Sequence, residues 1–471
     1  VSKPLVLDPD RLFPAEQRTR DIARALYAEV KALPIVSPHG HTDPSWFADN
    51  EPFLNPAALL ITPDHYVFRI LYSQGVAMEA LGVPRADGGP VEQDARKIWR
   101  LFARNYHLFR GTPSHLWHDW VYREVFGIDV RLNADTADHY FDVIDAKLKQ
   151  AECLPRALFE RFNIEIIATT EHPLDTLPHH AKLKSDGWGK KVITAFRPDN
   201  VLDPDYEGFR ANIEQLGALA GEDAFSYEGY LAALRNRRAY FKAHGATSTD
   251  HGHQSALTAD LALAEAKALF AKALAGDVSA QEAELFRGHM LVEMARMSIE
   301  DGLVMQIHPG SSRNHNAHVF ERFGRDKGAD IPMRTDYVSA LRPLLSRYGN
   351  EPKLSVIVFT LDESTYAREL APLAGHYPCL KLGPAWWFHD SPEGMRRFRE
   401  QTTETAGFYN TVGFNDDTRA FLSIPARHDV ARRMDCAFLA RLVAEGRLNE
   451  YDAHEVAHDL AYGLVKQAYK L

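Results

Sequence analysis

The sequence predicts a (β/α)8 barrel of the TIM type, and three observations carry that expectation. From Asn163 onward short apolar runs alternate with amphipathic helical stretches, and with an earlier run at Pro34–Pro38 they number eight. Such alternation calls for parallel strands with helical crossovers, and eight of them suggest a closed barrel. Several runs end abruptly in polar clusters, as the catalytic face of a barrel requires. No Gly-x-Gly-x-x-Gly follows an early strand, which weighs against the alternative of a doubly wound open sheet.

In chain order, Gln17–Leu33 places Ile22, Leu26, Val30 and Leu33 at helical spacing, leading into the strand Pro34–Pro38. After His41 the period is lost for over a hundred residues rich in aromatics and proline. Local signals at Glu92–Arg104 and Thr136–Lys149 are helical, so residues 42–160 read as a helical insertion over the site. Residues 1–471 then form one barrel domain around it. Strands are expected at Ile164–Thr170, Lys191–Phe196, Gly245–Ser248, Leu303–His308, Leu354–Phe359, Cys379–Leu382 and Thr411–Phe414. Helices are expected at Tyr206–Ala220, Tyr227–His244, Thr258–Ala275 and Ser279–Asp301, with further helical stretches between the later strands.

Composition narrows the class. Sixty-four acidic residues against 54 basic ones give a net charge of −10, with no Lys/Arg block. That disfavours a nucleic-acid partner, which needs a basic face. Cys153, Cys379 and Cys436 are widely spaced and odd in number, suiting a reducing compartment rather than a disulfide frame. Val1–Arg20 has no apolar signal core, and no run approaches the ~18 apolar residues of a membrane span. A cytoplasmic protein without membrane partners is the expectation.

The candidate chemistry starts at His39-Gly40-His41. On an extended strand residues i and i+2 point to one side, so both imidazoles can address one ion. His308 ends another apolar strand and opens the turn Pro309–Asn314. Asp417 lies just past the last strand, which neighbours the first in a closed barrel; Asp416 is the rival carboxylate. His39, His41, His308 and Asp417 make a plausible site for one divalent metal, zinc by preference or manganese, with no organic cofactor. A second His-x-His, Asp250-His251-Gly252-His253, follows Thr247-Ser248-Thr249 and reads as a polar loop, although Asp250 or His251 could line the pocket. Arg197 and Arg419 directly follow strands and Arg313 follows His308. A guanidinium there suits an anionic substrate; the alternative is a salt bridge to Asp199 or Asp416. Asp64-His65-Tyr66 adds an imidazole and a phenol from the insertion.

At this point the chain resembles the uronate isomerases, a divergent branch of the amidohydrolase superfamily. The resemblance rests on an ordered set: His39-Gly40-His41; Asp64-His65-Tyr66 with Gly75-Val76; Thr169 to Asp175; Arg197-Pro198-Asp199; His308; Arg313-Asn314; Trp386-Trp387-Phe388; Asp417-Thr418-Arg419; and Arg427-His428. It covers roughly residues 30–435. The segment Val36-Ser37-Pro38-His39-Gly40-His41 departs from the family's usual Asp-His-Cys-His or Asp-Tyr-His-Cys-His.

The resemblance implies a (β/α)8 barrel with His39, His41, His308 and Asp417 around one metal. It further implies that His65, Tyr66, Arg197 and Arg419 hold a sugar acid near Trp386. The implied reaction is aldose–ketose isomerisation of D-glucuronate to D-fructuronate, of D-galacturonate to D-tagaturonate, or of both, through an enediol in hexuronate catabolism. Asp417 takes the acid–base role in that expectation, with Tyr66 as partner and His39 assisting. A homo-oligomer acting on a small-molecule uronate is expected. Two rivals are a mononuclear metal-dependent hydrolase or decarboxylase on the same barrel, and a non-catalytic sugar-acid binder. No lysine closes the fourth strand candidate to bridge two metals.

Overall fold

The computed structural model describes residues 3–471. Seven strands form one parallel sheet: β1 (Ile35–Ser37), β2 (Ile164–Glu171), β3 (Val192–Phe196), β4 (Ser248–His251), β5 (Val304–Ile307), β6 (Val356–Val358) and β7 (Leu380–Leu382). Their spatial order equals their chain order, with helices between them. This is the right-handed βα progression of a TIM-type barrel.

The eighth expected strand, Thr411–Phe414, is not a strand. It makes one parallel bridge, Leu382 to Thr411, and then turns away. Gly413 explains this: its φ is +77°, which breaks an extended run. The ring is closed instead by the His41 N–H donating to the Thr418 carbonyl at 3.1 Å. A Cβ at Gly413 would stand 2.9 Å from the Leu460 carbonyl oxygen. Gly413→Ala is therefore expected to destabilise the protein by about 2 kcal/mol, read as a lower urea midpoint.

The fourth strand also differs from expectation. It runs Ser248–His251, three residues later than Gly245–Ser248, and all four of its polar residues are buried. Polar side chains are admitted there because each finds a partner. The Gln306 side-chain amide donates to the Ser248 hydroxyl and the Thr249 carbonyl, both at 3.3 Å. Thr249 pairs with His251 at 3.1 Å, and Asp250 with His308. The second His-x-His thus begins on a barrel strand, not in a loop.

Between β1 and β2 the chain is helical, and its starts are legible as caps. Asp43, Asn55 and Thr112 each cap a helix whose first residue is a proline, at Pro44–Asp49, Pro56–Leu60 and Pro113–Trp120. Asp64 caps His65–Ser73 through the Tyr66 N–H. Trp99, Phe102, Tyr122 and Tyr140 pack together here, in one cluster with Ile35, Ile164 and Val192 of the barrel wall. The expected helices later in the chain are present, for example Ala280–Asp301, opened by a reciprocal Ser279/Glu282 capping box.

Val36, Val304, Ile357, Phe359 and Val412 form one cluster with Val465 and Tyr469 of the C-terminal helix Leu464–Tyr469. The Tyr469 hydroxyl donates to Gln306 at 2.7 Å, so the last helix is tied into the barrel interior. Among the described residues no helix is long and apolar enough to cross a membrane. All three cysteines are free and buried.

Candidate active site and metal centre

A cavity of about 370 Å³ opens where the strands end, lined by His39, His41, His65, Tyr66, Arg197, His308, Trp386, Asp417 and Arg419 among others. Arg313 lines it as well, whereas Asp250 and His251 lie behind the lining, which Gly252 and His253 reach instead. The position follows from the fold, because strand C-termini of a barrel converge on one face.

The His-Gly-His turn is held from both sides. The Thr170 hydroxyl donates to the Gly40 carbonyl at 2.9 Å, and a Cβ at Gly40 would sit 3.3 Å from the Thr418 carbonyl. A small residue lets the two segments close. His39 Nε2 then lies 3.5 Å and His41 Nε2 3.2 Å from the same oxygen, Asp417 Oδ1. Asp417 sits at φ +39°, a conformation aspartate tolerates better than most residues. Burial pushes its carboxyl up, but the surrounding His39, His41 and His308 hold it below the usual carboxylate range.

His308 is placed differently from expectation. Its Nδ1 pairs with Asp250 Oδ1 at 2.5 Å, and its ring stacks between Phe359 at 3.9 Å and His39 at 4.8 Å. Two potential ligand sets result, His39–His41–Asp417 and His39–Asp250–His308, sharing His39. The sequence reading placed His308 in one set with Asp417; the structure puts it beside that set, with Asp250 as an added carboxylate. Burial lowers the His41 and His308 pKa values, favouring the neutral imidazole that binds metals. Asp417 Oδ1, Asp250 Oδ2 and His308 Nε2 are buried without hydrogen-bond partners among the described residues. A divalent cation would satisfy such atoms, so the donor set fits a metal ion.

Asp416, the rival carboxylate, also lines the cavity: its Oδ2 pairs with His428 Nε2 at 2.9 Å, while its Oδ1 is buried without a hydrogen-bond partner among the described residues.

The arginines separate into paired and free. Arg197 donates from Nε to Asp199 at 2.9 Å and places Nη1 3.1 Å from Asp250 Oδ2. Arg313 pairs with Asp330 at 2.9 Å. Arg419, half-buried in the cavity wall, has no carboxylate within salt-bridge distance among the described residues. His65 stands edge-on to Trp387 at 5.0 Å, and its pKa is lowered well below the usual value by burial and then by the nearby Arg419. Trp386 meets His308 edge-on at 4.7 Å.

Sequence reading passed over Asp390 and undervalued Asp250. Asp390 accepts from the Tyr66 hydroxyl at 2.8 Å and from Arg427 at 2.9 Å. Asp250, fully buried, pairs with His308 through Oδ1 and forms an ion pair with Arg197 across 3.1 Å at Oδ2. The available signal for Asp250 was alternation: in a strand Ser248–His251 it points to the same side as Ser248, but no apolar residue marked that strand.

Comparison with known proteins agrees with this geometry. The chain matches the family described as glucuronate isomerase over residues 16–469. It is 68% identical over 471 residues to a uronate isomerase of Rhizorhabdus wittichii, covering 100% of both chains. The crystal structure of glucuronate isomerase from Caulobacter crescentus superposes with a TM-score of 0.98 at 61% identity, covering 99% of this chain and 98% of that one. The uronate isomerase structure from Thermotoga maritima gives 0.91 at 28% identity, covering 98% and 99%. With nearly its whole length matched, and at identities far above those at which families diverge in fold, the chain belongs to the glucuronate isomerase family.

Proposed function

We propose that this protein interconverts a hexuronate aldose and its 2-keto isomer, D-glucuronate with D-fructuronate or D-galacturonate with D-tagaturonate. The observation that carries the reading is one cavity holding both a carboxylate–imidazole centre and a free guanidinium, Arg419. The first suits chemistry at C1 and C2; the second suits the carboxylate at the other end of the sugar.

The residues divide the work. Arg419 and the neutral His65 anchor the substrate carboxylate, which orients the chain without taking part in bond making. Arg197, already spanning Asp199 and Asp250, contributes a wall of fixed charge to the substrate site rather than a free fork. Trp386 supplies an apolar side beside His308. Asp417 moves the proton between C2 and C1 as general base and then acid, with Tyr66 beside the sugar oxygens and His39 assisting. His39, His41 and Asp417 would hold one divalent ion, zinc by preference and manganese as the other candidate, with His308 alongside. When bound, the ion supplies Lewis-acid polarisation of the C1/C2 oxygens. Three buried free thiols support a reducing, cytoplasmic setting.

A ketose-specific colour assay on each uronate tests the reading. Ketose from at least one sugar is the expected outcome, and none from either with divalent metal supplied would overturn it. The metal assignment has its own check. His41→Ala is expected to lower bound metal per chain by at least about tenfold, measured by elemental analysis after dialysis. Unchanged metal content would remove His41 from the ligand set.

A further inference from the structure

Tyr66 is not free to swing. Three segments far apart in sequence hold it: Asp390, after the Trp386-Trp387 pair, bonds its hydroxyl, Arg427 of the long helix Ile424–Ala444 lies 5.2 Å over its ring, and Trp117 stands edge-on to the ring at 5.6 Å. The phenol donates to Asp390 Oδ2 at 2.8 Å, and Arg427 Nη1 donates to the same oxygen at 2.9 Å. The Arg427 guanidinium lies 3.6 Å over the Trp117 ring, and its Nε donates to the Ser423 hydroxyl at 3.0 Å. Asp390 is 6% exposed and Arg427 1%. The Arg427 guanidinium pairs with the buried Asp390 carboxylate and offsets the cost of burying it.

We infer that Asp390, held by Arg427, is a positioning residue that commits the Tyr66 proton to one side and presents the phenol oxygen's lone pairs to the cavity. Tyr66 then accepts a hydrogen bond from a substrate hydroxyl during isomerisation instead of donating one. Bonding to an anionic acceptor also makes the phenol oxygen richer in electron density, which strengthens it as an acceptor. Burial, followed by the Asp390 charge, holds the Tyr66 pKa well above the usual phenol value, so the hydroxyl keeps its proton while it acts. Nothing is transferred in this arrangement. It sets the direction of one hydrogen bond, and with it which sugar oxygen Tyr66 can engage.

The inference rests on the isomerase reading, and a double-mutant cycle separates the two. Wild type, Asp390→Asn, Tyr66→Phe and the double variant are assayed for kcat and KM, with melting curves as a folding check. Asp390→Asn is expected to lower kcat at least about fivefold with KM within about threefold of wild type. On top of Tyr66→Phe it is expected to cost nothing further, because residues acting as a unit are not additive. Should the uncharged variant fail to fold against Arg427, Asp390→Glu keeps the ion pair and displaces the acceptor by one methylene; the same fall in kcat is expected. A smaller fall, or losses that multiply across the cycle, would show an ion pair that merely braces the wall and would overturn the inference. Failure of the isomerase reading looks different: wild type itself turns over neither uronate.

Discussion

Asp417→Asn is expected to lower kcat by about 10³-fold or more, the upper range for removing a general acid–base group. The reason lies in the geometry. One oxygen of Asp417 sits 3.5 Å from His39 and 3.2 Å from His41, so the substitution removes the one carboxylate among the described residues that faces both imidazoles. An amide cannot take a proton from carbon, and it is a poor ligand for a divalent cation. The turn should survive, since asparagine shares aspartate's tolerance of positive φ. Kinetics on variant protein with a wild-type melting curve provide the check. A rate within about tenfold of wild type would move the acid–base role elsewhere.

The second large effect is on stability. Asp250 is buried in the barrel and is shared by His308 at 2.5 Å and Arg197 at 3.1 Å. Burial raises its pKa, but His308, Arg197 and His39 together hold it well below the usual carboxylate range. Asp250→Ala leaves the Arg197 charge with Asp199 alone and frees His308 Nδ1, which is expected to cost about 3–5 kcal/mol of stability. Urea unfolding measures it. Losing the group that orients His308 should also reduce bound metal or activity by about 10–100-fold. A stable, fully active Asp250→Ala protein would mean that Arg197 and His308 are positioned by packing alone.

Much of this site is legible in the amino-acid sequence. His39 and His41 are marked by spacing and by the apolar run before them, and the structure brings both to Asp417 as closure of first and last segments requires. Arg419 is marked by its place directly after a strand, whereas His65 is singled out only through the family resemblance. What escaped notice did so for identifiable reasons. Strand β4 is Ser-Thr-Asp-His, and its burial depends on partners contributed by β5, so no local hydrophobic signal announces it. The last segment looked like a strand by composition, yet Gly413 and the close Leu460 carbonyl turn it aside after one bridge. Asp390 carries no local signature at all. Its meaning comes from Tyr66 and Arg427, which are respectively 324 and 37 residues away in sequence. His308 shows the same limit from the other side. A histidine at a strand end suggests a ligand, but only three-dimensional placement reveals that one of its nitrogens is already committed to Asp250.

The most direct measurement is a proton NMR time course of the purified protein with D-glucuronate and, separately, D-galacturonate, in deuterated buffer with zinc or manganese supplied. The expected result is loss of the anomeric signals of at least one sugar as a 2-keto product grows in, carrying solvent deuterium at C1 because Asp417 exchanges its proton. A ketose free of deuterium would mean that the hydrogen does not exchange with solvent on its way, whether a shielded Asp417 carries it or it moves directly. Anomeric signals unchanged in both sugars would contradict the isomerase assignment itself.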